Sequence, residues 1–260
     1  LTCPPQLQLC TIAVARIIPQ CYFLLSEPKS TLKTAKRLQR SMSTSSDDQT
    51  LLISTIVLGG ILKLFGRKLG RGGNFLVEMV DMLKNSKFSK HTNPSFREAL
   101  MKCLKDCVLG TGIAPSREVH GNTVKVLTKF ASDKVPEVRV RVAECLAAVA
   151  SCSAGFNTIS VVPMLTLCLK HLGDEFPRVR LAFAVTTGTL IATSVSLVSQ
   201  TQDSSSGSPK ASRSKTSWLG KIKIPKSFTF DSGLLFLASQ FDRASTHRQR
   251  EGFLYVIFCT

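Results

Sequence analysis

Cys103 and Cys107 are the residues whose type and spacing most resemble part of a metal site. Two cysteines four positions apart lie on one face of a helix, and His120 follows further along the chain. Thiolate and imidazole groups are the usual ligands of structural zinc, which takes four of them. No second cysteine or histidine pair at ligand spacing completes the set. We therefore predict no metal and interpret both cysteines as small buried apolar residues.

The sequence predicts no enzyme. Catalysis needs a nucleophile, a base and an orienting group that converge, whereas the histidines lie in separate stretches without a nucleophile motif. The stretch from Gly66 to Gly73 combines glycines with basic side chains, as anion-binding loops do, but it fits no phosphate-loop spacing. We expect a turn between helices there, and no cofactor. Nine scattered cysteines favour reduced thiols and a cytoplasmic chain over a disulfide framework.

The net charge of +17 raises nucleic acid or an acidic membrane as partners. In residues 51–132, however, which carry +8, the basic side chains are interspersed with acidic ones, as on a solvated surface, and residues 133–198 are nearly balanced. We therefore predict no specific nucleic-acid site. The longest uncharged apolar run, Leu51 to Leu62, is too short to span a bilayer. Because the chain starts at Leu1 and stops within an apolar run, we expect it to be a fragment.

Four regions differ in composition. Residues 1–50 predict no stable element, and both disorder and an incorrectly predicted exon remain open. Residues 51–198 show apolar periodicity of helical length without strand-like alternation, which predicts an all-α fold. Residues 199–227 form a Ser-rich, basic stretch that we interpret as a flexible insertion. Residues 228–260 predict one further, truncated helix pair.

An internal repeat is the strongest signal in the sequence. The segment from Asp133 to Arg139, with Pro136 inside it, recurs from Asp174 to Arg180, 41 residues later. Helix-pair repeats of the HEAT and armadillo type have periods of about 40 to 47 residues. Each copy also favours a helix start, because the Asp side chain accepts from free amides and Pro suits the first turn.

Each copy is predicted to lie between the two helices of a pair. The first helices of the two central pairs are predicted at Val119 to Ala131 and Ile159 to Leu172, each followed by a helix that starts at the repeated segment. An earlier pair is predicted at Phe75 to Leu83 and Phe96 to Leu109, and the last at Phe236 to Phe241 and Gly252 to Phe258. A helix pair cannot bury its apolar face alone, so stacked neighbours must supply the core. The sequence therefore predicts an α-solenoid of antiparallel helix pairs.

Several ordered segments resemble the HEAT repeat-containing protein 5 family. They include the run from Leu58 to Arg71, the segment Phe96 to Leu104, the stretch Asp133 to Leu146 and the run Phe228 to Asp231. Their order and approximate spacing match over about residues 55–260, whereas residues 1–50 match nothing in the family. The resemblance implies one internal stretch of a very large cytosolic α-solenoid.

The resemblance also implies a function. Members of that family are similar to accessory factors of the clathrin adaptor AP-1 and act with aftiphilin and γ-synergin in vesicle traffic between the trans-Golgi network and endosomes. It implies peripheral membrane association through those partners. In HEAT units the Asp of the turn and the Arg of the second helix bond between adjacent repeats, so Asp133, Arg139, Asp174 and Arg180 are expected to form a structural ladder.

Two other functions remain open from the sequence. One is another protein-binding solenoid, such as a transport receptor. The other is a basic protein that binds nucleic acid or acidic lipid, for which a steep salt dependence is the sign.

Overall fold

The computed structural model describes residues 12–20, 28–66, 69, 73–111, 117–152, 158–202 and 230–259. Over this part of the chain the fold consists of twelve helices with no strand, which confirms the all-α prediction. The first eight are α1 (12–20), α2 (Pro28–Thr44), α3 (Asp48–Phe65), α4 (Gly73–Lys84), α5 (Ser86–Ser89), α6 (Pro94–Thr111), α7 (Arg117–Ala131) and α8 (Pro136–Cys152). The others are α9 (Thr158–His171), α10 (Pro177–Gln202), α11 (Phe230–Arg243) and α12 (His247–Cys259).

The helices belong to two compact units, Leu1–Ala154 and Gly155–Thr260. In the first unit α6 packs between α3 and α8, while α4 packs on α7. The short connections join α2 to α3 and α7 to α8 as antiparallel neighbours, and α4 also packs on α6. The core between these helices is aliphatic and fully buried, with Leu58, Ile61, Leu62, Leu100, Leu104, Val142 and Leu146 at its centre.

Glycine allows α3 and α6 to approach backbone to backbone. A Cβ atom on Gly110 would collide with the main chain of Leu62, and one on Gly66 would lie 2.5 Å from the carbonyl carbon of Gly110. Further along the same contact, a Cβ on Gly59 would lie 3.1 Å from the Cα of Cys103. Because backbone atoms cannot rotate away as side chains can, larger residues at Gly110 would separate the two helices.

Helix starts follow the local chemistry that the sequence indicates. Pro94, Pro136 and Pro177 are the first residues of α6, α8 and α10, where the missing amide hydrogen costs nothing. Asp133 accepts from the Val135 amide at 2.9 Å and Asp174 from the Phe176 amide at 3.0 Å, each in the turn before the proline. Asn93 lies directly before Pro94 and instead accepts from the Ser95 amide, inside the helix, at 3.0 Å. The predicted proline role is thus observed at both copies of the repeat, whereas each Asp accepts from the amide of the residue before the proline, which precedes the helix.

In the second unit α10 is the central helix and contacts α9, α11 and α12. Its core is formed by Phe183, Leu190 and residues such as Met164 and Val256 from the neighbouring helices. A Cβ atom on Gly252 would collide with the Leu172 carbonyl, so α12 also approaches its neighbour closely. The helices of the last pair, α11 and α12, are longer than the sequence predicted.

Some predictions fall partly outside the described residues. Of the Ser-rich stretch 199–227, residues 199–202 belong to the end of α10 and the remainder lies outside. Most of the glycine-rich stretch from Gly66 to Gly73 lies outside as well. Residues 1–50, for which no stable element was predicted, contain the helices α1 and α2 and the start of α3.

One described helix, α3, has the length and apolar character that a membrane span requires. Half of its span is buried within the protein, against α2 and α6, and Asp47 caps its start by accepting from the Thr50 amide at 2.8 Å. Because the buried core helix of a globular fold has the same properties, the helix by itself is weak evidence for a membrane span.

Candidate interaction surfaces

Three arginines make the same contact at the start of alternate helices, which we call the arginine turn. Arg97, Arg139 and Arg180 are each the fourth residue of α6, α8 and α10, and each donates from Nη1 to the carbonyls six and five residues earlier. The contacts of Arg139 measure 2.7 and 3.3 Å, and those of Arg180 measure 2.8 and 3.2 Å. A guanidinium thereby holds the turn before the helix by charge-assisted bonds to its free carbonyls.

The copy at Arg97 was missed by the sequence analysis. It lies 42 residues before Arg139 and keeps the proline three residues earlier, Pro94, and the apolar residue just before it, Phe96. The signal was concealed because His91 occupies the position of the repeated Asp. A looser copy ends at Arg250, whose Nε donates to the Ala244 carbonyl, also six residues earlier, at 3.3 Å.

Asp133 connects the turn before α8 to helix α6. Its carboxylate receives Arg97 in a two-pronged contact, with Nε to Oδ2 at 2.6 Å and Nη2 to Oδ1 at 3.0 Å. The side chains of Arg97 and Asp133 are only 11% and 5% exposed. The same carboxylate caps its own turn, so one residue fixes both a local bend and a contact 36 residues away. The long-range partner of Asp133 is thus Arg97, which was not among the expected ladder residues. Arg139 donates to the carbonyls of its own turn, and the ladder through Asp133, Arg139, Asp174 and Arg180 stays a prediction.

In the second unit the arginine turn has a different long-range partner. Arg180 donates from Nη2 to Glu251 of α12 at 2.7 Å, and Tyr255 donates to the other carboxylate oxygen at 2.6 Å. The Tyr255 hydrogen bond and the Arg180 charge together lower the pKa of Glu251. At the turn, the imidazole of His171 lies 3.7 Å from the Asp174 carboxylate and stacks on Phe183 at 4.7 Å between ring centres.

A charged network covers the half-exposed face shared by α6 and α8. Arg141 donates to Glu98 at 2.9 Å and to Glu144 at 2.9 Å, and Lys105 donates to Glu144 at 2.7 Å. Burial raises the pKa of Glu144, but its bonds to Lys105 and Arg141 outweigh that effect and leave the pKa below its ordinary value. Their charges are thus mutually satisfied, and this face offers little unpaired charge to a partner.

Asp106 is a carboxyl group without such compensation. It lies on α6, is 5% exposed, and its Oδ2 would be 3.5 Å from a Cβ on Gly59. Burial raises its pKa, and the surrounding positive charges, Lys102 first among them, only partly oppose the shift. Its ionised form therefore carries an electrostatic cost in the folded state.

The residues of the rejected zinc hypothesis lie in the core. Cys103 and Cys107 are fully buried, and burial raises the pKa of Cys103 well above its ordinary value and that of Cys107 to about 12. His120 is buried on α7, and burial lowers its pKa. Both cysteines are protonated near neutral pH, whereas a metal ligand or nucleophile must be a thiolate. Within the described residues, no three His, Cys, Asp or Glu side chains are placed to hold a metal ion.

The second unit exposes aliphatic side chains on α10 and α12, two helices that pack on each other. Leu181 and Val185 lie one turn apart on α10, and Leu254 and Ile257 lie one turn apart on α12, each between two-fifths and half exposed. Phe176, in the turn before α10, is also exposed. Exposed apolar residues that recur on one helix face are typical of surfaces that bind other proteins.

Comparison with known proteins gives one distant likeness. The chain is 27% identical over 192 residues to Protein SWEETIE of Arabidopsis thaliana, an alignment that covers 72% of this chain and 8% of the plant protein. The chain thus corresponds to less than a tenth of that protein's length. No family model matches the chain, and no solved structure matches it.

Proposed function

We propose that this chain is a segment of a non-enzymatic α-solenoid scaffold built from HEAT-type helix pairs. The recurrence of the arginine turn at the starts of α6, α8 and α10, at intervals of 42 and 41 residues, carries the proposal. Helix-pair repeats have a period of that size, and each repeat packs on its neighbours. In the first unit α3, α6 and α8 pack in chain order, as the second helices of successive pairs would, and α4 packs on α7 as the first helices would.

The scaffold is proposed to act in clathrin-dependent vesicle traffic between the trans-Golgi network and endosomes. This part of the proposal depends on the resemblance to the HEAT repeat-containing protein 5 family, carried by ordered segments such as Leu58 to Arg71 and Asp133 to Leu146. Its partners would be the adaptor AP-1 with aftiphilin and γ-synergin, which would bring a cytoplasmic chain to the membrane. A match to 8% of the plant relative's length fits a segment of a very long protein.

The aliphatic face of α10 is the proposed contact with protein partners. Solenoids bind through dispersed side chains on extended surfaces rather than through a motif. Leu181 and Val185 are exposed at helical spacing, in contrast to the paired charges on α6 and α8. Because less than half of each side chain is exposed, its burial in a partner would contribute roughly 1 kcal/mol.

The test is capture from cytosol at physiological salt with the 260-residue chain as bait, followed by mass spectrometry and immunoblots for the three named partners. We expect AP-1 subunits, aftiphilin or γ-synergin with the native chain, and a strong loss with Leu181→Ser and Val185→Ser together. Val77→Ser, at an exposed aliphatic residue of α4, is the matched control and should retain capture. Absence of all three partners would overturn the traffic assignment.

A protein that works by electrostatic attraction is the second candidate, favoured by the charge of +17. It predicts capture of RNA and RNA-binding proteins that declines steeply as salt rises. That outcome, without adaptor proteins, would leave the helix-pair resemblance as an explanation of the fold alone.

A further inference from the structure

Helix α2 carries cations on one face and no acidic residue along its whole length. They follow at intervals of four, three, one and three residues, which places them on adjoining turns of one side: Lys29, Lys33, Lys36, Arg37 and Arg40. All five are exposed, and none forms an ion pair or side-chain hydrogen bond within the described residues. This cationic face therefore has no partner inside the described part of the chain.

The opposite side of α2 is fixed to the protein. Thr31, Ala35 and Met42 are fully buried, α2 packs along α3, and the Ser41 hydroxyl lies 3.4 Å from that of Ser54 on α3. Packing therefore fixes the helix that carries the cations, although like charges on adjoining turns repel one another. An external anion that neutralises them would remove that repulsion.

Helix α1, which also packs on α3, adds exposed apolar side chains. Pro19 lies directly against Gly60 of α3, and Ala15 is buried. On the outer side Val14 and Ile17 are 56% and 55% exposed, the largest values among the large apolar residues described, with Arg16 exposed between them. Both α1 and α2 thus rest on α3, one with aliphatic groups outward and one with cations outward.

We propose that α1 and α2 form a docking surface for an anionic lipid bilayer. The cations of α2 would lie at the lipid phosphates, while Val14 and Ile17 would enter the boundary between headgroups and acyl chains. Nucleic acid fits less well, because neither helix contains an aromatic residue for base stacking and exposed aliphatic groups gain nothing from a phosphate backbone. The inference does not depend on the proposed function, in which partners bring the chain to the membrane.

The test is co-flotation of the 260-residue chain with phosphatidylcholine vesicles, with and without phosphatidylserine, at physiological salt. We expect binding only with phosphatidylserine. Lys33→Gln with Arg37→Gln should weaken it roughly 25-fold, since each basic residue near an anionic surface contributes about fivefold. Val14→Ser with Ile17→Ser should also weaken it. All four side chains are exposed, and thermal melts would check that the variants fold.

Lys125→Gln with Lys134→Gln is the matched control, because these residues lie on α7 and just after it, and α7 packs on α4 and α8. It removes the same charge from exposed residues outside α2, and screening within about 8 Å at physiological salt should leave vesicle binding nearly unchanged. Equal weakening by the control and the α2 variant would overturn the proposal, as would equal binding to both kinds of vesicle. It would also fail if a single-stranded oligonucleotide displaced the vesicles and its own binding required Lys33 and Arg37.

Discussion

The two units contain the same arginine turn but connect it to different partners. In the first unit Arg97 reaches Asp133, the carboxylate of the next turn, and both groups are almost fully buried. In the second unit Arg180 reaches Glu251, on a helix 71 residues further on, whose side chain is 30% exposed. The bonds of the arginine to the carbonyls of its own turn are the same in both units. Its long-range partner depends on which helix packs alongside.

This difference in burial indicates that the arginine contact stabilises the first unit more than the second. In the buried pair of Asp133 and Arg97, water cannot replace the two hydrogen bonds if the carboxylate is removed. Loss of the Asp133 charge should therefore be costly. Glu251 is more accessible, and solvent screens its interaction with Arg180. Substitutions at matched positions test this contrast.

Asp133→Ala should have the largest effect, a loss of about 3 to 5 kcal/mol in the free energy of unfolding. It leaves the Arg97 guanidinium without its carboxylate and the Val135 amide without its acceptor. Urea unfolding measures the loss. The control is Asp81→Ala, which removes an exposed partner of Lys84 and should cost under about 1 kcal/mol. Similar losses in both variants would contradict the importance of burial.

Gly110→Ala should cost somewhat less, about 2 to 3 kcal/mol, because the added methyl group overlaps the backbone of Leu62 and must push α3 from α6. The matched control is Gly121→Ala on α7, where the new Cβ meets nothing within 4 Å. There alanine should stabilise by about 0.5 to 1 kcal/mol. If both variants have the same midpoint of urea unfolding as the native chain, the close contact between α3 and α6 is wrong.

Glu251→Gln should lower the thermal midpoint less than Asp133→Ala does, because Arg180 keeps its bonds to the Asp174 and Glu175 carbonyls. The folded-state pKa of Glu251 lies below its ordinary value, so its contribution is present above the unfolded-state pKa and is lost as pH falls through the folded-state value. The difference in midpoint between native and variant chains should therefore shrink in acid. A constant difference from neutral to acidic pH would argue against the charge interaction.

Asp106→Asn should give the smallest change, and in the opposite direction. The folded-state pKa of Asp106 is raised, so the native chain loses stability as pH rises through that value. Asparagine removes this cost, so the variant should be the more stable chain near neutral pH, with the gain vanishing below the unfolded-state pKa of about 3.9. Thermal melts across that pH range measure it, and destabilisation at neutral pH would mean that the carboxylate is favourably paired.

Much of the helical layout could be predicted because its signals are local. Pro136 and Pro177 mark the first residues of α8 and α10, and the apolar spacing after them predicts one buried face. Helix α2 was not predicted, since its few apolar residues are separated by cations and its packing on α3 supplies what the local pattern lacks. The Arg97 turn was concealed by His91, although backbone carbonyls, which every residue provides, are its acceptors.

The sequence by itself determined that this protein is helical, that one segment at a helix start recurs after 41 residues, and that an arginine follows the proline of each copy. Those properties depend on caps, periodicity and contacts within seven residues, all of which are written in consecutive positions. Only the tertiary structure decided that Asp133 bonds Arg97, that Gly110 lies against Leu62, and that the cations of α2 lack an internal partner. These depend on which helices pack together, and packing joins residues that are distant in the chain.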